Sequence, residues 1–370
     1  MTPAKAYFNY AGLGRPSAAI RARVEAARRD YADYLFSEDG FTMYLAALAE
    51  CRREIAAVLG LADGRGVSLM GNATTAVQMV LSALGAPLNP GDLVVTSDQE
   101  HPCVSRPLNA LTRRGIEVAT IDADSPDGMI DRLNDILRRR RPAFAIMSHV
   151  SYKNGRILPV NAIGAMLTDR EIPFVIDGAQ AFGHIPADPV SAHAWAYVFS
   201  GHKWLGGPWG AGGLWTSAAF AAHNRITLSN WESEADPPEG GRYEGGTMDY
   251  GIFAGLSEAC RLYRAEANVR FDTLARMRRE IGLKLEGLLP DTATLWRGAT
   301  APGILALLMP PEMESTRLAA LLLERHRVAV KPFRPPELPD AIRISYSPAT
   351  TAAEIELLAA AIRDARREAA

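Results

Sequence analysis

Between about residue 65 and residue 215, short apolar runs rich in β-branched and aromatic residues alternate with amphipathic stretches of helical period. The strand candidates are VSLM (67–70), DLVVTS (92–97), GIEVATID (115–122), AFAIMSHV (143–150), PFVIDG (173–178), AYVFS (196–200) and AGGLWTS (211–217). Between them, TTAVQMVLSALG, DGMIDRLNDILRRR and NAIGAMLTDREI carry the apolar spacing of helices. Strands alternating with helices predict a mostly parallel sheet covered on both faces. Ligands of such sheets bind beyond the carboxyl ends of the strands, so polar residues just after each run are the first candidates for chemistry.

From about residue 255 the pattern changes. A long helical stretch, LSEACRLYRAEANVRFDTLARMRREIGLKLEGLL, leads to the shorter strands GILALLM, RVAVKPF and AIRISYS. The last helix, TAAEIELLAAAIRDARRE, opens with Thr351 and Glu354 at capping-box spacing. This predicts an α/β large domain over residues 17–254 and a smaller α+β domain built from residues 1–16 and 255–370.

Composition narrows the function classes. The chain has 370 residues, 48% of them hydrophobic, enough for a sizeable core. Its 40 basic and 42 acidic side chains leave a formal net charge of -2, so no global field attracts nucleic acid or an anionic membrane. The run Arg138–Arg141 ends a helical stretch, where cations suit the negative helix terminus. Cys51, Cys103 and Cys260 are widely spaced and form no disulfide framework or zinc pattern, and no metal site is expected. The opening MTPAKAYFNYAG has no apolar signal core, and no stretch approaches the roughly 18 apolar residues of a membrane span. A soluble cytoplasmic protein is expected.

Four strand ends carry unusual polar residues. After VSLM, the segment Gly71–Thr75 opens a helix, either as a phosphate seat with free backbone N–H groups and Thr hydroxyls or as an ordinary helix cap. His101, after DLVVTS, can stack on a planar ligand or move protons, or can decorate a loop. Asp177 ends a run of Phe, Val and Ile, and a buried carboxylate there calls for a cationic partner unless it only caps the next turn, with Gln180 three residues on as a further donor. Ser200, His202 and Lys203 follow AYVFS in SGHKW, where a desolvated lysine becomes a nucleophilic amine, and a snorkelling lysine is the plainer alternative. Together these are the four requirements of pyridoxal 5′-phosphate (PLP): a phosphate seat, a stacking ring, an anion for the pyridinium and a Schiff-base lysine. The small neighbours Gly201, Gly206 and Gly207 would let the backbone approach such a cofactor.

The segments YFNYAGLGRPS, GNATTA, DQEHPC, SHVSYKNG, VIDGAQAFGH, SGHKWLGGPWGAG, YEGGTMDY and AIRISY resemble, in this order, the class V aminotransferase family of PLP enzymes of fold type I. The resemblance covers nearly the whole chain and implies a large domain with a mostly parallel seven-stranded sheet flanked by helices. It implies that Lys203 forms the internal aldimine and shuttles protons, Asp177 pairs with the pyridinium and His101 stacks on the ring. Ala73 and Thr74 would hold the phosphate, with Ser200 and His202 adding donors, and Gln180 would bond the ring oxygen. Thr247 in EGGT resembles the threonine that reaches the partner subunit's phosphate, which implies a homodimer. Arg343 in AIRIS resembles the arginine that grips the substrate α-carboxylate, with Asn9 and Tyr152 in the substrate pocket. Tyr152 looks like the kynureninase-type tyrosine, placed to meet the phosphate or the substrate. Tyr34, Phe36 and Tyr44 either line that pocket or pack helices.

The family's cysteine desulfurases need a mobile nucleophilic cysteine in a late loop. The corresponding stretch, KPFRPPELPDA (331–341), has none, and Cys103 reads as structural, so a persulfide-forming desulfurase is set aside. The favoured expectation is a C–S lyase acting by β-elimination on a cysteine conjugate, through an external aldimine and quinonoid. The alternatives are a class V aminotransferase and a decarboxylation-coupled deaminase or epimerase. A nucleotide enzyme is disfavoured because GGPWGAGG lacks the GxGxxG spacing between a strand and a helix.

Overall fold

Seven apolar runs that share one sheet need a particular strand order before their ends can meet. The computed structural model describes residues 4–34, 37–223, 240–290 and 296–369. In chain order its first elements are β1 (Ala6–Tyr7), α1 (Ala18–Tyr34), α2 (Glu38–Val58), β2 (Val67–Met70), α3 (Ala73–Gly85), β3 (Leu93–Ser97), α4 (Pro102–Thr112) and β4 (Glu117–Ile121). There follow α5 (Pro126–Arg139), β5 (Phe144–Ser148), α6 (Val160–Thr168), β6 (Phe174–Asp177), β7 (Ala196–Ser200), β8 (Gly212–Thr216) and α7 (Ala218–His223). The last are α8 (Tyr250–Leu285), β9 (Ile304–Leu308), α9 (Ser315–His326), β10 (Val328–Ala329), β11 (Lys331–Phe333), β12 (Ala341–Ser345) and α10 (Ala352–Ala369). The chain divides into two units: residues 15–150 with 158–265, and residues 1–14 with 151–157 and 266–370.

The larger unit holds a seven-stranded sheet in the order β2-β8-β7-β6-β5-β3-β4. Strand β8 runs antiparallel to both β2 and β7, and the β3–β4, β3–β5, β5–β6 and β6–β7 pairs are parallel. The connection 201–211 is too short for the helical crossover that a parallel β7–β8 pair requires. Strands β3, β5, β6, β7 and β8 are buried along their whole length, which is why they read as unbroken apolar runs. At the edge, β4 exposes Glu117 and Thr120. Gly178 leaves β6 so close to Tyr197 that a Cβ there would lie 2.1 Å from the ring's Cζ.

Helix starts and stops follow local chemistry. Asn72 caps α3 by accepting from the Thr75 amide at 3.0 Å, and Ser125 caps α5 through Gly128 at 3.0 Å, with Pro126 in first position. Arg138 and Arg139 close α5, Arg140 binds Glu117 at 2.5 Å, and Arg141 donates to the carbonyls of Arg170 and Glu171. The arginine run is structural.

The smaller unit holds an antiparallel sheet β11-β12-β9 and a parallel pair β1-β10, and Asn9 bridges to Ser345. Its core gathers Phe8, Leu305, Ile342, Ile344, Leu358 and Ile362 against Met277 and Ile281 of α8. Thr351 and Glu354 cap α10 reciprocally, at 2.8 and 3.2 Å.

Within the larger unit, Arg52 of α2 and Glu244 form a buried bidentate pair, and Glu244 also accepts from the Leu69 amide at 2.7 Å. This pair ties the segment before α8 to β2. Removing one partner strands the other charge away from water, so Glu244→Ala should cost about 3–5 kcal/mol in urea unfolding. A loss under 1 kcal/mol contradicts the assignment.

Candidate active site

The first residues after β2, β3, β6 and β7 are joined by direct contacts in the larger unit. At the start of α3, Ala73 is buried and Thr74 exposed, and the Ala73 amide donates to Ser200 Oγ at 3.2 Å. Ser200 is the last residue of β7, so the sheet brings the proposed phosphate seat and the SGHK segment together.

Lys203 is half-buried, and its charge acts on Asp177, Cys103 and His202, pulling the pKa of each downward. His202 places Nδ1 3.1 Å from the Ala211 carbonyl. A carbonyl can only accept, so Nδ1 carries the proton and neutral His202 presents a bare Nε2. Burial first, and then the Lys203 charge, hold His202 below the usual histidine range. Donation by His202 Nε2 therefore requires the protonated ring, a state that a phosphate dianion favours.

Asp177 is 4% exposed and ends β6. Its Oδ1 accepts from the Ala179 amide at 2.9 Å, and its Oδ2 lies 4.0 Å from Cys103 Sγ. Burial holds the carboxyl above the usual carboxylate range, against the Ala179 bond and the Lys203 charge. Among the described residues no ion pair reaches Asp177. Burial, and then the Asp177 charge, push the Cys103 thiol up to about 12, against the pull of Lys203 and Thr74.

His101 is half-buried and caps α4, its Nδ1 accepting from the Cys103 amide at 3.2 Å. Gln180 is buried, and its Oε1 accepts from the Trp204 indole at 2.8 Å. Thr247 is exposed just before α8. Its neighbour Met248 donates to Tyr44 Oη at 2.9 Å, while the Tyr44 ring stacks with Phe41 and packs at a tilt against Tyr31. Tyr44 thus packs helices, Tyr34 is exposed, and Phe36 lies outside the described residues. Gly201 and Gly207 sit in close packing: a Cβ at 201 would meet Leu256 of α8 at 2.4 Å, and one at 207 the Gly201 carbonyl at 2.8 Å.

One group in this region escaped the sequence reading. Glu100, one residue before His101, is buried and accepts from Ser97 Oγ at 2.5 Å, the Ser148 amide at 2.9 Å and Ser148 Oγ at 2.8 Å. Burial drives its carboxyl up to about 7, opposed by these donors and reinforced by Asp177. The signal was present, because the strand-end reasoning that singles out His101 applies equally to its neighbour.

In the smaller unit, Arg343, Asn9 and Tyr152 meet. The Arg343 guanidinium donates to the Tyr152 carbonyl and to Asn9 Oδ1 at 2.8 Å, and lies 5.4 Å from the Phe333 ring centre. Its buried Nε has no hydrogen-bond partner. Burial lowers its pKa to about 10, and no carboxylate among the described residues pairs with it. The Tyr152 hydroxyl donates to Glu337 at 3.3 Å.

PLP needs a buried anion for its ring nitrogen and an amine for its aldehyde. A buried carboxylate without an ion pair, sharing its surroundings with the charge of Lys203, fits that donor set.

The family model for aminotransferase class V matches residues 40–358. The probable cysteine desulfurase of Mycolicibacterium paratuberculosis is 30% identical over 229 residues, 58% of this chain and 33% of that protein. The isopenicillin N epimerase of Streptomyces clavuligerus is 28% identical over 342 residues, 86% of this chain and 84% of that protein. The chain spans about a third to a little over half of the length of the curated cysteine desulfurases it matches. Among solved structures, the cystine C–S lyase C-DES superposes with a TM-score of 0.83 at 24% identity, covering 97% of each chain, a likeness that speaks for the fold. A second C-DES structure carries glycine covalently linked to PLP.

Two measurements check the electrostatics. Thiols at about 12 (Cys51 and Cys103) and well above the usual range (Cys260) should resist iodoacetamide at pH 8 in the native protein and all react after unfolding; rapid native labelling of Cys103 would contradict its environment. The Glu100 carboxyl has a raised pKa when folded, so its contribution to stability is full below pH about 4.5 and is lost as pH rises through about 7. In the cofactor-free protein, Glu100→Gln should remove this loss of about 3 kcal/mol between pH 4.5 and 8 in urea titrations.

Proposed function

The chain belongs to the class V aminotransferase family, and on that premise we propose that it uses PLP to break the C–S bond of an S-substituted cysteine by β-elimination. The observation that carries the reading is the state of its sulfur chemistry. Cys51 and Cys260 are buried, the Cys103 thiol is pushed up to about 12, and residues 331–341 contain no cysteine. No cysteine of the chain is a ready thiolate that could take sulfur from a substrate, so the sulfur leaves with its substituent.

Bound PLP supplies an electrophilic carbon for an amine and an electron sink for the charge left when a bond to the α-carbon breaks. Lys203 provides the amine that holds the aldehyde and, once released, takes the α-proton on Nζ. The Cα–H electrons then form the Cα=Cβ bond as Cβ–S breaks. The sulfur departs as a thiolate and gains a proton, and water converts the unsaturated amine to a 2-keto acid and ammonium. The Asp177 carboxylate would keep the ring nitrogen positive, His101 would stack on the ring, and Gln180 would donate to the ring oxygen. Ala73, Thr74, Ser200 and His202 would hold the phosphate. Arg343, whose buried Nε lacks a partner, receives the substrate α-carboxylate, with Asn9 and Tyr152 beside it. Thr247, exposed before α8, would reach the phosphate of a second copy in a homodimer.

Epimerisation is the second reading, because the isopenicillin N epimerase of Streptomyces clavuligerus matches over 86% of this chain. Incubation with a panel of S-substituted cysteines separates the two. Elimination releases thiol and 2-keto acid in equal amounts; inversion at the α-carbon without thiol overturns the lyase reading, and accumulated pyridoxamine phosphate indicates transamination. Lys203→Ala should lower kcat by at least about a hundredfold. Arg343→Ala should raise KM for substrates with a free α-carboxylate by about tenfold, and an unmoved KM overturns that assignment.

A further inference from the structure

Gln180, His184 and Trp204 meet in the larger unit, with 4%, 3% and 1% of their surfaces exposed. The Trp204 indole donates to Gln180 Oε1 at 2.8 Å. The His184 ring stacks on the indole with centroids 3.6 Å apart and planes 15° apart. His184 Nδ1 lies 3.0 Å from the Gln180 carbonyl. An indole nitrogen only donates and a backbone carbonyl only accepts, so neither bond can be reversed. The Gln180 amide oxygen is therefore committed to Trp204, and its NH2 is the end turned away from the indole. His184 carries its proton on Nδ1, ties the Gln180 backbone to its own ring, and holds the indole flat against that ring.

We infer that Trp204 and His184 are positioning residues that lock the Gln180 side chain in the donor orientation. The inference rests on the reading that Gln180 meets the oxygen of the pyridine ring. That oxygen is anionic in the working cofactor, so an amide presenting NH2 stabilises it and a flipped amide presenting Oε1 repels it. An unlocked amide samples both. Trp204 follows Lys203 directly, so the same indole that orients the donor also anchors the backbone beside the reactive amine. An apolar ring in its place would fill the space but would no longer donate to Oε1, the bond that favours this orientation of the amide.

The test reads the pH midpoint of the cofactor's visible absorption band in holoenzyme, with melting temperature recorded in parallel. A donor at the ring oxygen favours its proton-poor form, so loss of the donor raises the midpoint. Gln180→Leu should raise it by about one unit, equivalent to about 1.4 kcal/mol. Trp204→Phe, which keeps a ring in the space, should raise it by a comparable amount. His184→Leu, which removes the stack and the carbonyl bond, should move it in the same direction and serves where Trp204→Phe does not fold. Neither change should move the midpoint further in a Gln180→Leu background. An unmoved midpoint in Gln180→Leu itself overturns the reading on which the inference rests. A Gln180→Leu shift with no Trp204→Phe or His184→Leu shift, or one that persists in the Gln180→Leu background, overturns the inference alone. A lowered melting temperature with an unmoved midpoint marks Trp204 as core filling and also overturns it.

Discussion

A carboxylate taken out of water without an ion pair is costly, and Asp177 is in that state at the centre of the larger unit. Its backbone donor at Ala179 and the charge of Lys203 offset part of the penalty, yet the carboxyl remains harder to ionise than an ordinary aspartate. That imbalance organises the surroundings. Strand β6 delivers Asp177 between β5 and β7, whose ends supply Ser148 and Ser200. A bound cation at this position would relieve the strain, which is why the fold reads as a protein completed by a positively charged ring.

Glu100 places a second buried carboxylate in the same region, bonded by Ser97 and Ser148, and the Asp177 charge raises its proton affinity. Two buried acids in such surroundings cannot both be charged cheaply. The cofactor's pyridinium meets Asp177 in the proposed site, so Glu100 titrates in a field that depends on what is bound. In the smaller unit the sign is reversed. Arg343 is a buried cation held by the neutral acceptors of Asn9 and Tyr152, with its Nε unpartnered, and it suits an incoming anion. Among the described residues, each unit thus keeps a buried charged group without an ion pair.

Particular residues show where sequence reasoning ends. The strands of the central sheet were legible because a strand covered on both faces must be apolar throughout, and that constraint is written in four or five consecutive residues. Asp177 and Lys203 were legible because a charge beside such a run is unusual. In the segment 151–157 the resemblance singled out Tyr152, but not the partners at Ala299, Ala301 and Arg343, which lie far along the chain. Arg343, in a strand, would by itself read as half of an ion pair, and only the folded chain shows that its partners are neutral oxygens. Trp204 sat inside the most informative motif, yet its bond to Gln180 depends on β6 and β7 being neighbours.

The order of strands and helices, the capping of α3, α5 and α10, and the kinds of side chain at each strand end were determined by the sequence alone, since periodicity and capping act over a few residues. Which of those side chains touch, which way the Gln180 amide turns, and which buried charges go unpaired were decided by the tertiary structure. Hydrogen bonds and desolvation act through space, between residues whose separation along the chain carries no information about their distance.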